Sequence, residues 1–591
     1  MKVERRSAMV LAVLASAAIS QATAPSVNAQ PGDPGGAVVP IDWSRSRKPV
    51  ALGKDYQDCR RLLQNCARYN LGWIPKSFTE SSALPSYRLT RFDEHGVRPA
   101  CSVVYGVAVL LKCDGFDQGV IGLSRQDALE RTLKLLRGAA ATHKSNTGGS
   151  AGWGDHWQSA LWSALLGCGG WLLWEELDTT SRQLLANVVV HEADRLREYD
   201  VPYWSGIGGE RYPGDTKAEE NAWNSMILNV AVAMMPQHPH VRPWKLKASE
   251  LMVSAYATEE DWRHNRTVLD GRAVKDWLKG YNAMPNGAVV NHGFLHPDYM
   301  SDQKLNLWAY LTQSLAGKPV PQTAEFNGAL IYRTFVTYRW NSPPYRPPGG
   351  TIYKENEPDV YYPKGCDWST CDVSNYYLND VWARVLGWDQ GLPHKASHWM
   401  DLRAAKMLQM QQRRPDGRMF APGEYDTYPG AEQMMAWLLA DALLALRLDA
   451  CQMLGKPADW LSRYPFTSPA GTFASNYGPK KSATYLHNLT TILADRRAVA
   501  TPGKLDYSIP KQPATAHDLL LQKSNGKFEL VVWSEKANGT NSVTVRLGAS
   551  YPLVKVYDPT TGTSPTQTLA NAGSVPLTLS DHPVVIEISQ P

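Results

Sequence analysis

The segment NGAVVNHGFLHPDYM, residues 286–300, contains four side chains able to move protons or donate hydrogen bonds in a stretch of nine residues. An imidazole can accept a proton near neutral pH, and a phenol can donate one. A glycine and a proline within the segment predict a fixed, non-helical loop. The structural alternative is a polar turn whose histidines form hydrogen bonds with the backbone. The four side chains are those of Asn291, His292, His296 and Tyr299.

These residue types suit a β-elimination at a uronic acid. That reaction needs a group that neutralises the substrate carboxylate, a base for the C5 proton and an acid for the leaving oxygen. We expect Asn291 or Asn221 to neutralise the carboxylate, and His292 and Tyr299 to handle the protons. A pair of catalytic carboxylates is not required.

Three other polar and aromatic loops are expected to converge on this segment and bind substrate. They cover residues 146–159, 208–225 and 353–369. Each has a structural alternative: helix capping, charges that favour the N-terminal end of a helix dipole, or packing of the loop itself. The residues assigned to substrate binding are His156, Trp157, Glu220, Asn224, His296, Asp367 and Trp368.

The elements that must position these loops are helices. Leucine and alanine spacing predicts about eleven helices between residues 50 and 450, with almost no strand pattern between them. Many antiparallel helix pairs favour an (α/α) helical toroid that carries function on the loops of one rim. A solenoid is the competing arrangement, although no repeat of fixed period supports it. The segments are 55–70, 124–144, 156–177, 178–200, 217–235, 243–258, 302–317, 323–340, 374–388, 394–412 and 430–448.

The predicted fold class is therefore multidomain, α followed by β. Residues 1–29 read as a secretory signal peptide, with a basic start, a short apolar run and Val-Asn-Ala before Gln30. Residues 36–455 form the toroid, and a Pro-, Gly- and Ser-rich linker covers 456–500. Alternating apolar and polar residues with Asn-Gly turns predict a small antiparallel β-sandwich over 501–591.

Two parts of the chain resemble known families. The tail, together with YLHNLTTILAD before it, resembles the C-terminal β-sandwich of secreted bacterial glycoside hydrolases. The helical region resembles helical-toroid polysaccharide lyases of the alginate, chondroitin and heparinase-like class. Some of those carry Asn-Asn-His-Gly, and residues 290–293 here read Val-Asn-His-Gly, which matches three of the four. The resemblance implies a secreted, carbohydrate-active enzyme that uses an Asn, a His and a Tyr.

Composition limits the partners. The net charge of +5 over 591 residues is too small for a polybasic nucleic-acid protein, yet it is compatible with an acidic polysaccharide. The 21 Trp and 27 Tyr suit a surface that handles sugar rings. No nucleic acid and no membrane insertion are expected. Neither a cofactor nor a protein-held metal is predicted, and a Ca²⁺ bridging substrate and protein stays open.

Two other functions compete with the lyase interpretation. An inverting glycoside hydrolase on the same architecture needs an acid and a base carboxyl about 6.5–9.5 Å apart. Its candidates are Asp155, Glu220, Asp298 and Asp367. The second competitor is a non-catalytic glycan-binding protein with a Trp-rich cleft. Eight cysteines suit an oxidising compartment, and the predicted disulfides are Cys366–Cys371 and, second, Cys101–Cys113.

Overall fold

A computed structural model describes residues 37–46, 52–81, 85–148, 151–206, 208–341, 343–425, 429–461, 481–495, 499, 501–534, 540–580 and 582–589. The chain divides into two compact units, one from Gln30 to Ser462 and one that contains Arg463–Pro591. The predicted signal peptide and most of the Pro- and Gly-rich part of the predicted linker lie outside the described residues.

The first unit consists mainly of helices. Each of the eleven predicted segments contains one, so the helical character of this region is confirmed. The helices are α1 (Lys54–Ser77), α2 (Val97–Lys112), α3 (Gln118–Ile121), α4 (Arg125–Ala141), α5 (Ser159–Leu172), α6 (Thr179–Arg195), α7 (Ala218–Met234), α8 (Val241–Ala255), α9 (Glu259–His264), α10 (Val274–Trp277), α11 (Pro297–Ser301), α12 (Trp308–Ala316), α13 (Gly328–Thr337), α14 (Ser374–Leu386), α15 (Ala396–Gln412) and α16 (Ala431–Ala450), with 3₁₀ turns at Trp43–Ser46, Trp174–Glu176, Asp302–Leu305 and Gln322–Glu325.

Five of these helices pack in a closed circuit. Helix α2 packs against α5, α5 against α7, α7 against α12, α12 against α16, and α16 returns to α2. The remaining long helices flank the circuit, for example α8 on α7 and α6 on α5. Because the circuit helices have neighbours on several sides, α5 and α7 are buried along almost their whole length.

Helix α2 was not predicted from the sequence. It is buried from Val97 to Leu111 and carries five valines. These β-branched residues lower its intrinsic helix propensity. Packing against α5 and α16 therefore decides its conformation.

Short strands connect the helices and are paired in small hairpins. They occupy the loops rather than the core, and most contain only two residues. They are β1 (Thr79–Ser81) with β2 (Ser86–Arg88), β3 (Ser205–Gly206) with β4 (Gly209–Glu210) and β7 (Gly280–Tyr281), β5 (Val268–Leu269) with β6 (Arg272–Ala273), β8 (Val290–Asn291) with β9 (Phe294–Leu295), and the parallel pair β10 (Val320–Pro321) and β11 (Pro457–Ala458).

The second unit is a curled six-stranded antiparallel sheet. Its strands are β12 (Tyr507–Ser508), β13 (Ala516–Gln522), β14 (Phe528–Ser534), β15 (Asn541–Tyr557), β16 (Gln567–Leu579) and β17 (Val584–Ser589), in the order β12-β15-β17-β14-β13, with β16 also paired to β15. The first half of β15 pairs with β12 and its second half with β17, with a register shift between Arg546 and Tyr551. This irregularity lets one long strand turn the sheet around an apolar core.

A helix covers the other face of this sheet. Helix α17 (Lys481–Leu493) lies within the predicted linker and places Leu489 and Ile492 against Val531 and Val585. The Asn488 amide donates to the Pro559 carbonyl at 2.8 Å, which ties the helix to the strand end. The C-terminal unit therefore begins before residue 501, because the helix completes its hydrophobic packing.

The predicted disulfides are wrong in this structure, since all eight cysteines are free thiols. Cys101 and Cys113 lie twelve positions apart along α2 and its C-cap, about 18 Å by helix rise, too far for a bond. The Cys366 thiol lies 3.5 Å from Asp298 Oδ2 and accepts the Trp368 amide at 3.4 Å. Among the described helices, none is long and apolar enough to cross a membrane.

Candidate functional site

His292 lies at the tip of the β8–β9 hairpin. Val290 pairs with Leu295 and Asn291 with Phe294, which leaves a two-residue turn. Both turn residues have positive φ, 52° at His292 and 85° at Gly293, as a type I′ turn requires. A non-glycine residue in this region is uncommon, and such strain concentrates at functional sites. The turn leaves 41% of the His292 side chain exposed.

The His292 ring links a carboxylate to a phenol. Its Nδ1 lies 2.7 Å from Asp367 Oδ2, and its Nε2 lies 3.2 Å from the Tyr299 hydroxyl. Since Asp367 is an acceptor, Nδ1 carries the proton and Nε2 presents its lone pair to Tyr299. The loop that holds Asp367 is distant in sequence, so this triad exists only in the folded chain.

Tyr299 is held by a helix rather than by an irregular loop. Pro297 occupies the first position of α11, where its fixed φ suits a helix start. The predicted non-helical shape therefore holds for the turn at His292 and is wrong for residues 297–301. The Tyr256 hydroxyl donates to the Tyr299 carbonyl at 2.7 Å, which fixes the backbone beneath the ring.

The charges of this triad are set by burial and by hydrogen bonds. Burial, followed by the charge of Glu219, raises the pKa of the Tyr299 phenol well above its usual value. Burial alone would raise the pKa of Asp367, but hydrogen bonds from His296 and His292 outweigh it and the net pKa is lowered. Tyr299 is consequently a neutral donor, and Asp367 is a carboxylate that orients His292.

His296 supports Asp367 from the buried side. Its Nε2 lies 3.0 Å from Asp367 Oδ1, and its side chain is fully buried. Burial lowers the pKa of His296, so the ring is neutral. On its other edge lies Asp298, which accepts the hydroxyls of Tyr376 at 2.6 Å and Tyr362 at 3.0 Å. Burial raises the pKa of Asp298 to about 7.

Asn291 joins the hairpin to the start of α7. Its amide donates to Glu219 Oε1 at 2.5 Å, and its Oδ1 accepts the backbone N–H of His292 at 2.7 Å. The two loops are also joined through their backbones, since Gly293 N–H donates to the Gly214 carbonyl at 3.0 Å. A Cβ at Gly214 would lie 2.8 Å from the Gly293 Cα, so the backbones touch.

An ammonium group lies among the carboxylates of the 208–225 loop. Lys217, a second non-glycine residue with positive φ (53°), contacts Asp215 and lies 2.9 Å from Glu220 Oε1. Burial raises the pKa of both Glu219 and Glu220. The end of α7 near His292 thus offers one cation, Lys217, which is paired with the carboxylates of Asp215 and Glu220.

An exposed indole extends the site toward the 146–159 loop. Trp157 is 55% exposed, and its ring meets the buried Trp223 of α7 edge-on at 5.0 Å between centroids. Trp223 follows Glu220 by three residues, so both share one face of the helix. The buried Glu192 accepts the Asp155 backbone N–H at 2.9 Å and anchors the loop that carries Trp157.

Most of the predicted residues meet, and three do not. His292, Tyr299, Asn291, His296 and Asp367 form one network, and the Trp368 ring lies 5.8 Å from that of Tyr299. Asn221 is fully buried, and its amide donates to the Pro202 carbonyl at 3.0 Å and to Ser254 Oγ at 3.1 Å. Asn224 is buried in the same helix, and His156 stacks on Trp162 at 5.1 Å.

Sequence reasoning did not assign Lys217 or Asp298 to this site. Lys217 is a single cation before a helix, and only its contacts with two carboxylates give it a role. Asp298 was considered only as a hydrolase carboxyl, although its place beside Tyr299 was a usable signal. Its partner Tyr376 lies on α14, and that contact depends on the fold.

Three groups of side chains bring enough ligand atoms together for a metal ion among the described residues. In the group His143, His191 and Glu192, Ser145 N–H donates to His143 Nδ1, which leaves Nε2 protonated toward Glu192 and unable to ligate. In the group Asp215, Glu219 and Glu220, the Lys217 ammonium already bridges two members. The third group is His292, His296 and Asp367.

Comparison with known proteins adds no family to this geometry. No protein-family model and no curated protein sequence matches the chain.

Proposed function

We propose that this protein is a polysaccharide lyase that cleaves a uronic-acid-containing glycan by β-elimination. The observation that carries the proposal is the contact of 3.2 Å between the Tyr299 hydroxyl and His292 Nε2, with Asp367 on the opposite ring nitrogen. A base and a neutral acid side by side can serve one face of a sugar ring without any catalytic carboxylate.

The proton movements follow from this contact. His292 Nε2 takes the C5 proton, the electron pair of that C–H bond forms the C4–C5 double bond, and the C4–O bond breaks. Tyr299 gives its proton to the leaving oxygen, which its raised pKa permits because the phenol is neutral beforehand. A proton then passes from His292 to the Tyr299 phenolate across their contact and resets the pair. Asp367 stabilises the imidazolium that forms in between.

The substrate carboxylate needs a partner other than the two asparagines first assigned to it. The Asn221 amide is engaged in the interior, and the Asn291 amide donates to Glu219. We assign the carboxylate instead to Lys217, whose ammonium can donate to an anion. Asn291 then acts as a positioning residue that holds Glu219 and the His292 backbone.

The finer architecture belongs to the same proposal. The closed circuit α2-α5-α7-α12-α16 supports an (α/α) toroid over residues 36–455, with the site on its loops. The apolar core enclosed by the curled sheet supports a β-sandwich-like C-terminal unit. Export from the cell follows from the proposal, since polymers of this kind lie outside it.

The test is a screen of acidic and neutral polysaccharides with the purified full-length protein. A lyase leaves a C4–C5 double bond conjugated to the carboxylate, which absorbs in the ultraviolet, whereas a hydrolase releases reducing ends without that absorbance. We expect absorbance with at least one uronate polymer and none with neutral glycans. Reducing ends without absorbance contradict the lyase proposal, and binding without turnover favours a glycan-binding protein.

An inverting glycoside hydrolase is the second candidate, and Glu220 is the observation in its favour. A general acid must hold its proton near neutral pH, and burial raises the pKa of Glu220 in that direction. Under this alternative Glu220→Gln abolishes turnover while Tyr299→Phe retains it. Under the lyase proposal the ranking is reversed, because Glu220 only pairs with Lys217.

A further inference from the structure

His292, His296 and Asp367 offer one ligand atom each within 4.8 Å of one another. Both imidazoles direct a nitrogen at the same carboxylate, with 2.7 Å from His292 Nδ1 to Oδ2 and 3.0 Å from His296 Nε2 to Oδ1. Zinc bonds to nitrogen and oxygen of about 2.0–2.2 Å at tetrahedral angles put ligand atoms about 3.3 Å apart. Small side-chain shifts therefore suffice to place one ion between the three groups.

A second observation points to a metal independently. His296 is fully buried, yet its Nδ1 has no hydrogen-bond partner among the described residues. The carboxylate of Asp298 lies 3.6 Å from that nitrogen and is held there by Tyr376 and Tyr362. Histidines that ligate metals typically donate their other N–H to a carboxylate. That outer partner is already in place behind His296.

The site is also open to an ion from solvent. The His292 side chain is 41% exposed and that of Asp367 46%. Two imidazoles and one carboxylate leave at least one position for water, as in zinc sites with three protein ligands. Nitrogen ligands favour zinc and related transition metals over Mg²⁺ and Ca²⁺, which prefer oxygen.

We propose that His292, His296 and Asp367 bind one Zn²⁺-like ion and that its binding switches off the proton-transfer site. The binding half stands on the geometry alone, and the switching half rests on the proposed lyase function. The sequence predicted no protein-held metal, so this site adds to the chemistry expected of the loop.

The switch follows from the tautomers. In the metal-free site Nδ1–H of His292 donates to Asp367, and Nε2 is the base that faces Tyr299. A metal on Nδ1 needs that lone pair, so the proton moves to Nε2, where the Tyr299 oxygen accepts it. His296 changes in the same way, from Nε2–H to Nδ1–H beside Asp298. No net proton leaves the protein, but Nε2 of His292 loses the lone pair that would take the C5 proton.

Direct binding tests the site without any activity assay. Chelator-treated protein is titrated with ZnCl₂ by calorimetry, and we expect one equivalent to bind through this group. His296→Gln and Asp367→Asn should each weaken that binding by at least about tenfold, since even the loss of a partner behind a ligand typically costs that much. Unchanged affinity in both variants, or no zinc binding by the wild type, overturns the proposal.

A second histidine pair provides the matched control. His394 and His398 are four residues apart, and their rings stack at 4.6 Å, so they could also collect zinc. The double variant His394→Gln/His398→Gln should retain the equivalent bound at the site. Loss of all zinc binding in this control contradicts the assignment. Cobalt in place of zinc should give the strong visible bands of tetrahedral coordination in wild type and lose them in His296→Gln.

The activity arm separates the two proposals. On a uronate substrate, stoichiometric ZnCl₂ should abolish turnover of wild type and of the His394→Gln/His398→Gln control, and a chelator should restore it. Mg²⁺ at the same concentration should have no effect. Zinc binding with no lyase activity on any glycan defeats the function and leaves the site standing. Lyase activity that zinc leaves unchanged or increases defeats the switch and leaves the function standing.

Discussion

Asp441 and Asp367 both accept hydrogen bonds from ring donors, but their pKa values shift in opposite directions. Asp441 lies among the circuit helices, where Tyr105 donates to Oδ1 at 2.7 Å, and Trp308 and Trp437 donate to Oδ2 at 2.9 Å. Burial raises the pKa of Asp441 to about 7. Asp367 accepts two imidazoles at an open loop, and its pKa is lowered.

The difference lies in the donors and in access to water. Phenol and indole donors keep their protons throughout the physiological range, so they fix Asp441 and connect three helices without any exchange. Imidazoles gain, lose and relocate protons in that range. The same carboxylate chemistry thus makes a structural joint at Asp441 and, under the proposed function, supports proton transfer at Asp367.

The largest expected effect is at the proton-transfer pair. Tyr299→Phe removes only the hydroxyl and should lower kcat at least about 10²-fold, as expected for loss of a general acid. His292→Asn should do the same while tolerating the positive φ of the turn, which alanine tolerates less well. Initial rates on a uronate substrate measure this, with thermal melts to confirm folding. Near-normal rates in both variants would remove the basis of the lyase proposal.

At the buried joint we expect a loss of stability instead. Asp441→Ala leaves three buried donors without their acceptor and should lower the free energy of unfolding by at least about 3 kcal/mol, at about 1–3 kcal/mol for each unpaired group. Urea denaturation measures it, and kcat of the folded fraction should not change. The matched variant Asp367→Ala leaves only one buried donor, His296 Nε2–H, without its acceptor, so it should lose less stability than Asp441→Ala and much more activity. Equal destabilisation by the two variants would contradict the assignment of a structural role to Asp441 and a site role to Asp367.

The two carboxylates should also differ in the sign of their pH dependence. The pKa of Asp441 is raised on folding, so its contribution to stability is full below about pH 4 and is lost as the pH rises toward 7, by at most about 1.4 kcal/mol per pH unit. Asp441→Asn should flatten the fall in unfolding free energy over that window. The lowered pKa of Asp367 works oppositely, with stability lost as the pH falls. An Asp441→Asn profile that runs parallel to that of the wild type between pH 4 and 7 would contradict the Asp441 assignment.

The smallest effect concerns the exposed indole. Trp157→Ala should raise KM roughly fivefold, equivalent to about 1 kcal/mol of lost ring contact, and leave kcat nearly unchanged. Val268→Ala, another exposed apolar side chain at 57%, is the matched control and should change neither constant. A large loss of kcat in Trp157→Ala would mean that the ring orders the catalytic groups rather than the substrate.

The sequence predicted a helix in each of eleven segments, including helices as fully buried as α5 and α7. It missed α2, whose five valines lower its intrinsic helix propensity. It placed a linker over α17, whose packing against the sheet outweighs the Pro- and Gly-rich composition before it. Contacts across the fold, rather than local preference, decided both cases.

For the site, the sequence predicted which residues lie close together along the chain. It did not predict the direction in which each side chain points. His292 and Tyr299 are close in sequence, and the turn and α11 bring their side chains together. Asn221 follows Glu220 directly, but on a helix one residue turns the side chain by about 100°, which sends Asn221 into the interior. The pairing with Asp367 spans 75 positions and has no local signature.

The backbone contact between Gly214 and Gly293 bears on how this protein can be altered. The two backbone segments touch there and share a hydrogen bond. The β8–β9 hairpin and the 208–225 loop, which holds Lys217, therefore form one structural unit. A side chain at Gly214 would push the two backbone segments apart. It would thereby move the proposed proton-transfer pair, His292 and Tyr299, away from Lys217. Insertions meant to widen the substrate range therefore belong in residues 208–213. There the extra length leaves the Gly214–Gly293 contact, and with it the position of the hairpin, unchanged.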